Sequence, residues 1–256
     1  MRLGFVSLRA RRCSLRAGIA AASLWLAGCA HRETPREHAL LRVARGDLRG
    51  GTVELEAVRD GHPHDARAWI DLGHAYELGH RYDDALAAYD RAAEVQPLEP
   101  DGPREGGMRT AAWGEYAAAR PRLEAAIARG DREASTYHAL GLVRLQLGDR
   151  AGAREAYLRG LEQPDGARDA TCVLGLATLA VLAEDAGQAL RWYDELAARR
   201  PSSSGAQLGR AWALAGLGRF DEALAAIDAA ASLGGRPADV TRLRDHVAAA
   251  RANAKR

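Results

Sequence analysis

The chain has 256 residues, 47% of them hydrophobic and 5% aromatic, with 36 basic against 34 acidic side chains. Alanine, leucine, arginine and glutamate dominate while β-branched and aromatic residues are scarce, a mixture that favours helix and argues against a sheet-rich fold. The length allows one elongated domain or two compact ones.

The formal charge of +2 originates at the start, where Arg2, Arg9, Arg11, Arg12 and Arg16 stand among no acids; residues 29–256 hold 31 basic against 34 acidic side chains. No basic patch or stripe is left to follow phosphates, so nucleic acid is not an expected partner. After the arginines comes an apolar run at 17–27 and then Leu26, Ala27, Gly28 and Cys29. That order is a signal peptide's. Its core falls short of the ~20 residues that span a bilayer, so residues 1–28 are expected to be cleaved rather than to remain as a transmembrane helix.

The string LAGC resembles the bacterial lipobox. The resemblance implies a diacylglyceryl-modified Cys29, cleavage before it and acylation of the new amino terminus. Several acyl chains anchor firmly, at about 0.8 kcal/mol per buried methylene, where a single chain holds marginally. Ala30 occupies the place of an inner-membrane retention aspartate, which implies sorting to the periplasmic face of the outer membrane. Residues 29–35 are then the lipidated end and a short tether.

From residue 36 to 237 the sequence repeats. The clearest unit, 66–99, carries Trp69, Leu72, Gly73, Tyr76, Gly79, Tyr82, Ala85, Tyr89, Ala92 and Pro97. Gly73 and Ala85 lack bulk where two antiparallel helices would cross, Trp69, Leu72, Tyr76, Tyr82 and Tyr89 would fill the space between them, and Pro97 stops the second helix. The spacing resembles the tetratricopeptide repeat, with Gly79 one residue early. A step of 34 residues gives unit 100–133, with Gly107, Gly114, Tyr116, Ala119, Leu123 and Ala126, and the next gives 134–169, with Tyr137, Leu140, Gly141, Gly148, Ala153 and Tyr157.

A two-residue insertion shifts the following unit to 170–203, with Leu176, Ala189, Tyr193 and Pro201, and the last is 204–237, with Ala211, Leu214, Gly218, Phe220, Ala223, Ile227 and Ala230. A weak unit at 36–65 is suggested by Gly46, Leu48, Leu55, Val58 and Pro63. Residues 238–256 read as a capping helix and tail, with Val240, Leu243 and Val247 on one side. The implied fold is all-α: a right-handed α-solenoid of about six helix-turn-helix repeats. Gly102, Gly106 and Gly107 cost up to ~1 kcal/mol each relative to alanine, which predicts a frayed or bent first helix in unit 100–133.

No GxSxG, HExxH, glycine-rich phosphate loop or CxxC pair is present. His62, His64, His74 and His80 come nearest to a metal set, but they fall in a junction, a helix and a turn, and their spacing defines no common site. Acidic pairs such as Asp83 with Asp84 and Glu184 with Asp185 mark second-helix starts. Cys13 lies in the leader, and Cys172 in the apolar run Cys172-Val173-Leu174 reads as a small buried hydrophobe. No enzyme activity, catalytic residue, metal or cofactor is expected.

The resemblance implies that first helices line a groove through repeat positions 2, 5, 9 and 12. Lys and Asn of the family's carboxylate clamp are missing, since no lysine precedes Lys255. From Met108 onward the implied lining is mainly apolar: Met108, Leu142, Leu145, Leu174, Val181, Leu208 and Trp212. Such a lining suits an amphipathic helix laid into a groove, with Trp212 and Met108 as anchors. The whole plan resembles the pilotin and assembly lipoproteins of type IV and Tad/Flp pilus systems. It implies a non-catalytic, outer-membrane-anchored periplasmic scaffold for a protein partner, a secretin or another envelope assembly protein. The alternative is an adaptor for peptidoglycan hydrolases or a periplasmic protease.

Overall fold

The structure, a computed structural model, describes residues 33–254. The expected leader and the anchor Cys29 lie outside the described residues. Thirteen helices and no strand are found among them. They fall into two compact units that divide between Val58 and Arg59.

The first unit holds α1 (Pro35–Ala44) and most of α2 (Leu48–Gly61). Thr34 caps α1 reciprocally with Glu37, whose backbone N–H donates to the Thr34 hydroxyl at 3.2 Å while the Thr34 N–H donates to its carboxylate at 2.8 Å. Two otherwise orphaned donors are satisfied, and Pro35 supplies a preset first turn. The turn to α2 passes through Gly46 at φ +90°. Ala39, Gly51 and Leu55 are buried between the helices, and Arg42 ties them by ion pairs to Asp47 and, at 2.5 Å, Glu54.

The second unit is a run of hairpins: α3 (Ala66–Leu78) with α4 (Tyr82–Val95), α5 (Asp101–Ala112) with α6 (Tyr116–Ala128), α7 (Ala134–Gln146) with α8 (Arg150–Leu161), α9 (Thr171–Leu182) with α10 (Ala186–Arg199), and α11 (Ser204–Gly216) with α12 (Phe220–Ser232), closed by α13 (Pro237–Asn253). The helices pack on their hairpin partners and on the next hairpin, as in a tetratricopeptide solenoid, with α10 dividing its contacts evenly between α9 and α11.

Small residues let the hairpins close. A Cβ at Gly73 would lie 2.5 Å from the Tyr89 ring, so glycine is required where that fully buried ring sits on α3. The glycines of α5 act likewise. A Cβ at Gly102 would lie 2.5 Å from the Ala93 backbone and one at Gly107 2.8 Å from Leu123. The expected fraying of this helix is therefore corrected: α5 is continuous over Asp101–Ala112, because close backbone packing against α4 and α6 outweighs glycine's low propensity.

Every hairpin loop in this unit has three residues, and the middle one takes the left-handed backbone: His80 at φ 58°, Gly114 at 85°, Gly148 at 84°, Glu184 at 55° and Gly218 at 73°. The left-handed place in the first loop thus belongs to His80, while Gly79 has an ordinary φ of −83°. A side chain there costs roughly 1–2 kcal/mol. Glu184→Gly is expected to raise stability by about 0.5–1 kcal/mol, read from the urea midpoint. His80→Gly should gain less, since it also removes the 3.0 Å contact between His80 Nδ1 and the Tyr82 hydroxyl.

The connection at 162–170, which holds the two-residue insertion, is pinned by hydrogen bonds. Arg199 donates to the Gly166 and Asp169 carbonyls at 2.8 and 2.5 Å, and the Ala134 N–H donates to Asp165 at 3.0 Å. Cys172 packs beneath it with its thiol 3.6 Å from the Ala134 carbonyl, and burial pushes that thiol up to about 12. Tyr82 corrects one expectation: it is 44% exposed and lies 5.0 Å from the Trp113 ring instead of filling the helix interface.

Candidate functional site

The first helices of successive hairpins pack side by side, α3 on α5, α5 on α7 and α7 on α9, with α11 on α13. Their face of the second unit has two chemistries. On α3 and α5 it is charged: His74 Nε2 lies 3.1 Å from Glu105, Arg109 lies 3.3 Å from Glu77 and 3.5 Å from Glu105, and Arg104 reaches Asp101 at 2.8 Å and Glu133 at 2.6 Å. The His74 contact, ahead of the nearby arginines, holds the Glu105 carboxyl below its usual range. Arg109 Nε is buried beside Glu77 without hydrogen-bond geometry, so proximity alone joins that pair. Four carboxylates, Glu77, Asp101, Glu105 and Glu133, are thus distributed around two guanidinium groups and one histidine.

The groove positions expected from the sequence are held by apolar side chains of α5, α7, α9 and α11. Leu174 is 47% exposed, while Met108, Leu142, Leu145, Val181, Leu208 and Trp212 are half-buried. Val181, Leu208 and Trp212 rest against the core around Leu214 and Ile227, Met108 against that around Leu123 and Leu140, and Leu145 against that around Tyr157. Each therefore contributes part of its surface to interhelical packing and leaves the rest open. Such partly open side chains on adjacent helices can bury further apolar area against a partner at about 25 cal/mol per Å².

His138 marks the junction of the two halves, with its ring 5.8 Å from that of Tyr157. Burial lowers its proton affinity, outweighing the opposing pull of Asp169. The neutral ring is the folded form, so its contribution to stability is present above the ordinary histidine range and declines as pH falls through the lowered value. Tyr89 donates to Glu77 at 3.5 Å, and its hydroxyl is pushed upward chiefly by burial.

His62 and His64 are exposed beside Pro63, and His80 sits in a loop, so the histidines are distributed and not gathered. Among the described residues, no three metal-ligating side chains converge. Glu105 and Arg109 of this charged cluster are absent from the apolar groove lining expected from the sequence. Each stands one residue beyond a groove position, and the opposite charges four apart on α5 were the available signal. That lining also omits the part of α13 that borders α11.

A family model for the tetratricopeptide repeat matches residues 36–103 and 174–239, and a second model of that description matches 134–163. No curated protein matches significantly. Among solved structures, YrrB, described as a tetratricopeptide-repeat protein with an unusual peptide-binding site, superposes with a TM-score of 0.62 at 17% identity, covering 75% of this chain and 97% of that one. PilW, described as a widely conserved type IV pilus biogenesis factor, gives 0.62 at 18% identity over 76% and 89%. PilF of Pseudomonas aeruginosa gives 0.61 at 18% identity over 75% and 90%.

Proposed function

Because the chain belongs to the tetratricopeptide-repeat family, we propose that it is a non-catalytic scaffold, lipid-anchored through Cys29 at the periplasmic face of the outer membrane. It holds a protein partner against its first-helix face and serves pilus or secretin assembly. The observation that carries the reading is the succession of partly open apolar side chains Leu142, Leu145, Leu174, Val181, Leu208 and Trp212 across α7, α9 and α11. The similarity to PilW and PilF supports the pilus role, and that to YrrB supports peptide capture.

The anchor rests on the order of arginines, apolar run and LAGC, with small residues before the cysteine. Cys29→Ala is expected to release the protein from the outer-membrane fraction. Continued fractionation with that membrane would contradict the anchor. Crosslinking in the envelope followed by pull-down tests the partner: a secretin supports pilus assembly, whereas recovery of hydrolases or their regulators alone transfers the same face to a cell-wall role.

A further inference from the structure

Where the last repeat meets α13, the first-helix face contains a cavity of about 430 Å³. Leu208, Gly209 and Trp212 of α11 line it opposite Asp239, Arg242, Leu243 and His246 of α13. Leu208, Trp212 and Leu243 rest on the core and form an apolar floor, while Arg242 and His246 are exposed at the rim. Val240 and Val247 are the buried residues of α13.

The rim has a sign. Asp239 is held by Arg236 at 2.7 Å and lies 3.9 Å from Arg242. Arg236 stands outside the lining and offsets the Asp239 carboxylate, so Arg242, at 3.9 Å from that carboxylate, keeps most of its positive charge at the rim. Aromatic floors in partly desolvated pockets dominate binding energy, and complementary rim charge selects the partner. The volume falls within the roughly 300–1,000 Å³ range of pockets that receive a compact ligand group.

We propose that this cavity takes one leucine- or phenylalanine-sized side chain of the protein partner, from a segment whose flanking carboxylates meet Arg242 and His246. The proposal rests on the first-helix face being the partner surface, and it gives that partner's chemistry at the carboxyl-terminal end of the array. The capping helix then selects the ligand as well as closing the fold.

The test uses the full chain labelled with 5-fluorotryptophan, in which Trp212→Phe assigns the resonance at the cavity. The probes are three capped pentapeptides: Asp-Asp-Phe-Asp-Asp, Lys-Lys-Phe-Lys-Lys and Asp-Asp-Ala-Asp-Asp. The first is expected to shift the Trp212 signal saturably, and the other two to bind at least ~10-fold more weakly. Arg242→Glu should remove the preference for acidic flanks, and Leu243→Asp should abolish the shift while the helical circular dichroism persists. An unmoved Trp212 signal, or equal affinity for the acidic and basic phenylalanine peptides, overturns the proposal. The first-helix reading fails separately: if Leu142→Glu with Leu174→Glu leaves partner capture intact while the peptide still binds, the cavity stands and the wider face does not.

Discussion

Tyr157→Ala is expected to destabilise the second unit by about 3–5 kcal/mol, the range for emptying a buried aromatic site. The Tyr157 side chain of α8 is 1% exposed, and a Cβ at Gly141 or Gly175 would stand 2.4 or 2.5 Å from its ring. The ring thus fills a space that α7 and α9 leave by having no side chain there. The void would be lined in part by the bare backbone of Gly141 and Gly175, so the loss includes a cavity as well as the transfer of the ring to water. Because repeats are stabilised by their neighbours, the damage falls on the coupling between units 134–169 and 170–203. The urea midpoint and the melting temperature by circular dichroism check this, the latter falling by about 10 °C.

A double-mutant cycle sharpens the reasoning. Gly141→Ala alone should destabilise, since its methyl meets the ring, whereas in the Tyr157→Ala background it should recover about 1 kcal/mol through helix propensity and cavity filling. Tyr82→Ala provides the contrast. Tyr82 holds the same kind of side chain in a half-open position, and losing its contact with Trp113 should cost only about 1 kcal/mol. Equal costs at Tyr82 and Tyr157 would refute the packing argument.

The hairpins were readable in the sequence because their requirements recur at fixed intervals. Ala66, Ala134 and Ser204 open α3, α7 and α11 where the repeat spacing places them, and α5 and α9 begin one residue after the expected Pro100 and Ala170. What escaped depended on contacts between distant residues. Propensity judges Gly102 within its own helix and knows nothing of the Ala93 backbone against which it lies. The left-handed place at His80 was hidden because Gly79 advertised itself one residue too soon. Of the site, the apolar positions were read from their register, yet the Glu105 and Arg109 pairings and the cavity at α13 required the helices to be side by side. A fixed repeat frame describes equivalent positions, whereas α13 lies outside that frame and borders α11 with residues of its own.

Leu142→Glu combined with Leu174→Glu is expected to weaken partner binding at least ~100-fold while leaving the helical circular dichroism intact. Each carboxylate would have to be desolvated against an apolar partner without a compensating cation, at about 2 kcal/mol or more per group, and 1.4 kcal/mol already corresponds to a factor of ten. The fold should tolerate both changes. Leu174 is already 47% exposed and Leu142 only half-buried, so the new charges can remain in water as long as no partner covers them. The control lies on the second helices, where Arg154, Arg191 and Trp192 line a separate cleft between α8 and α10. Arg191→Glu changes charge there without touching the first-helix face, and binding should persist. If the double variant binds normally while Arg191→Glu does not, the partner engages the second helices, and the apolar face serves only to pack the array.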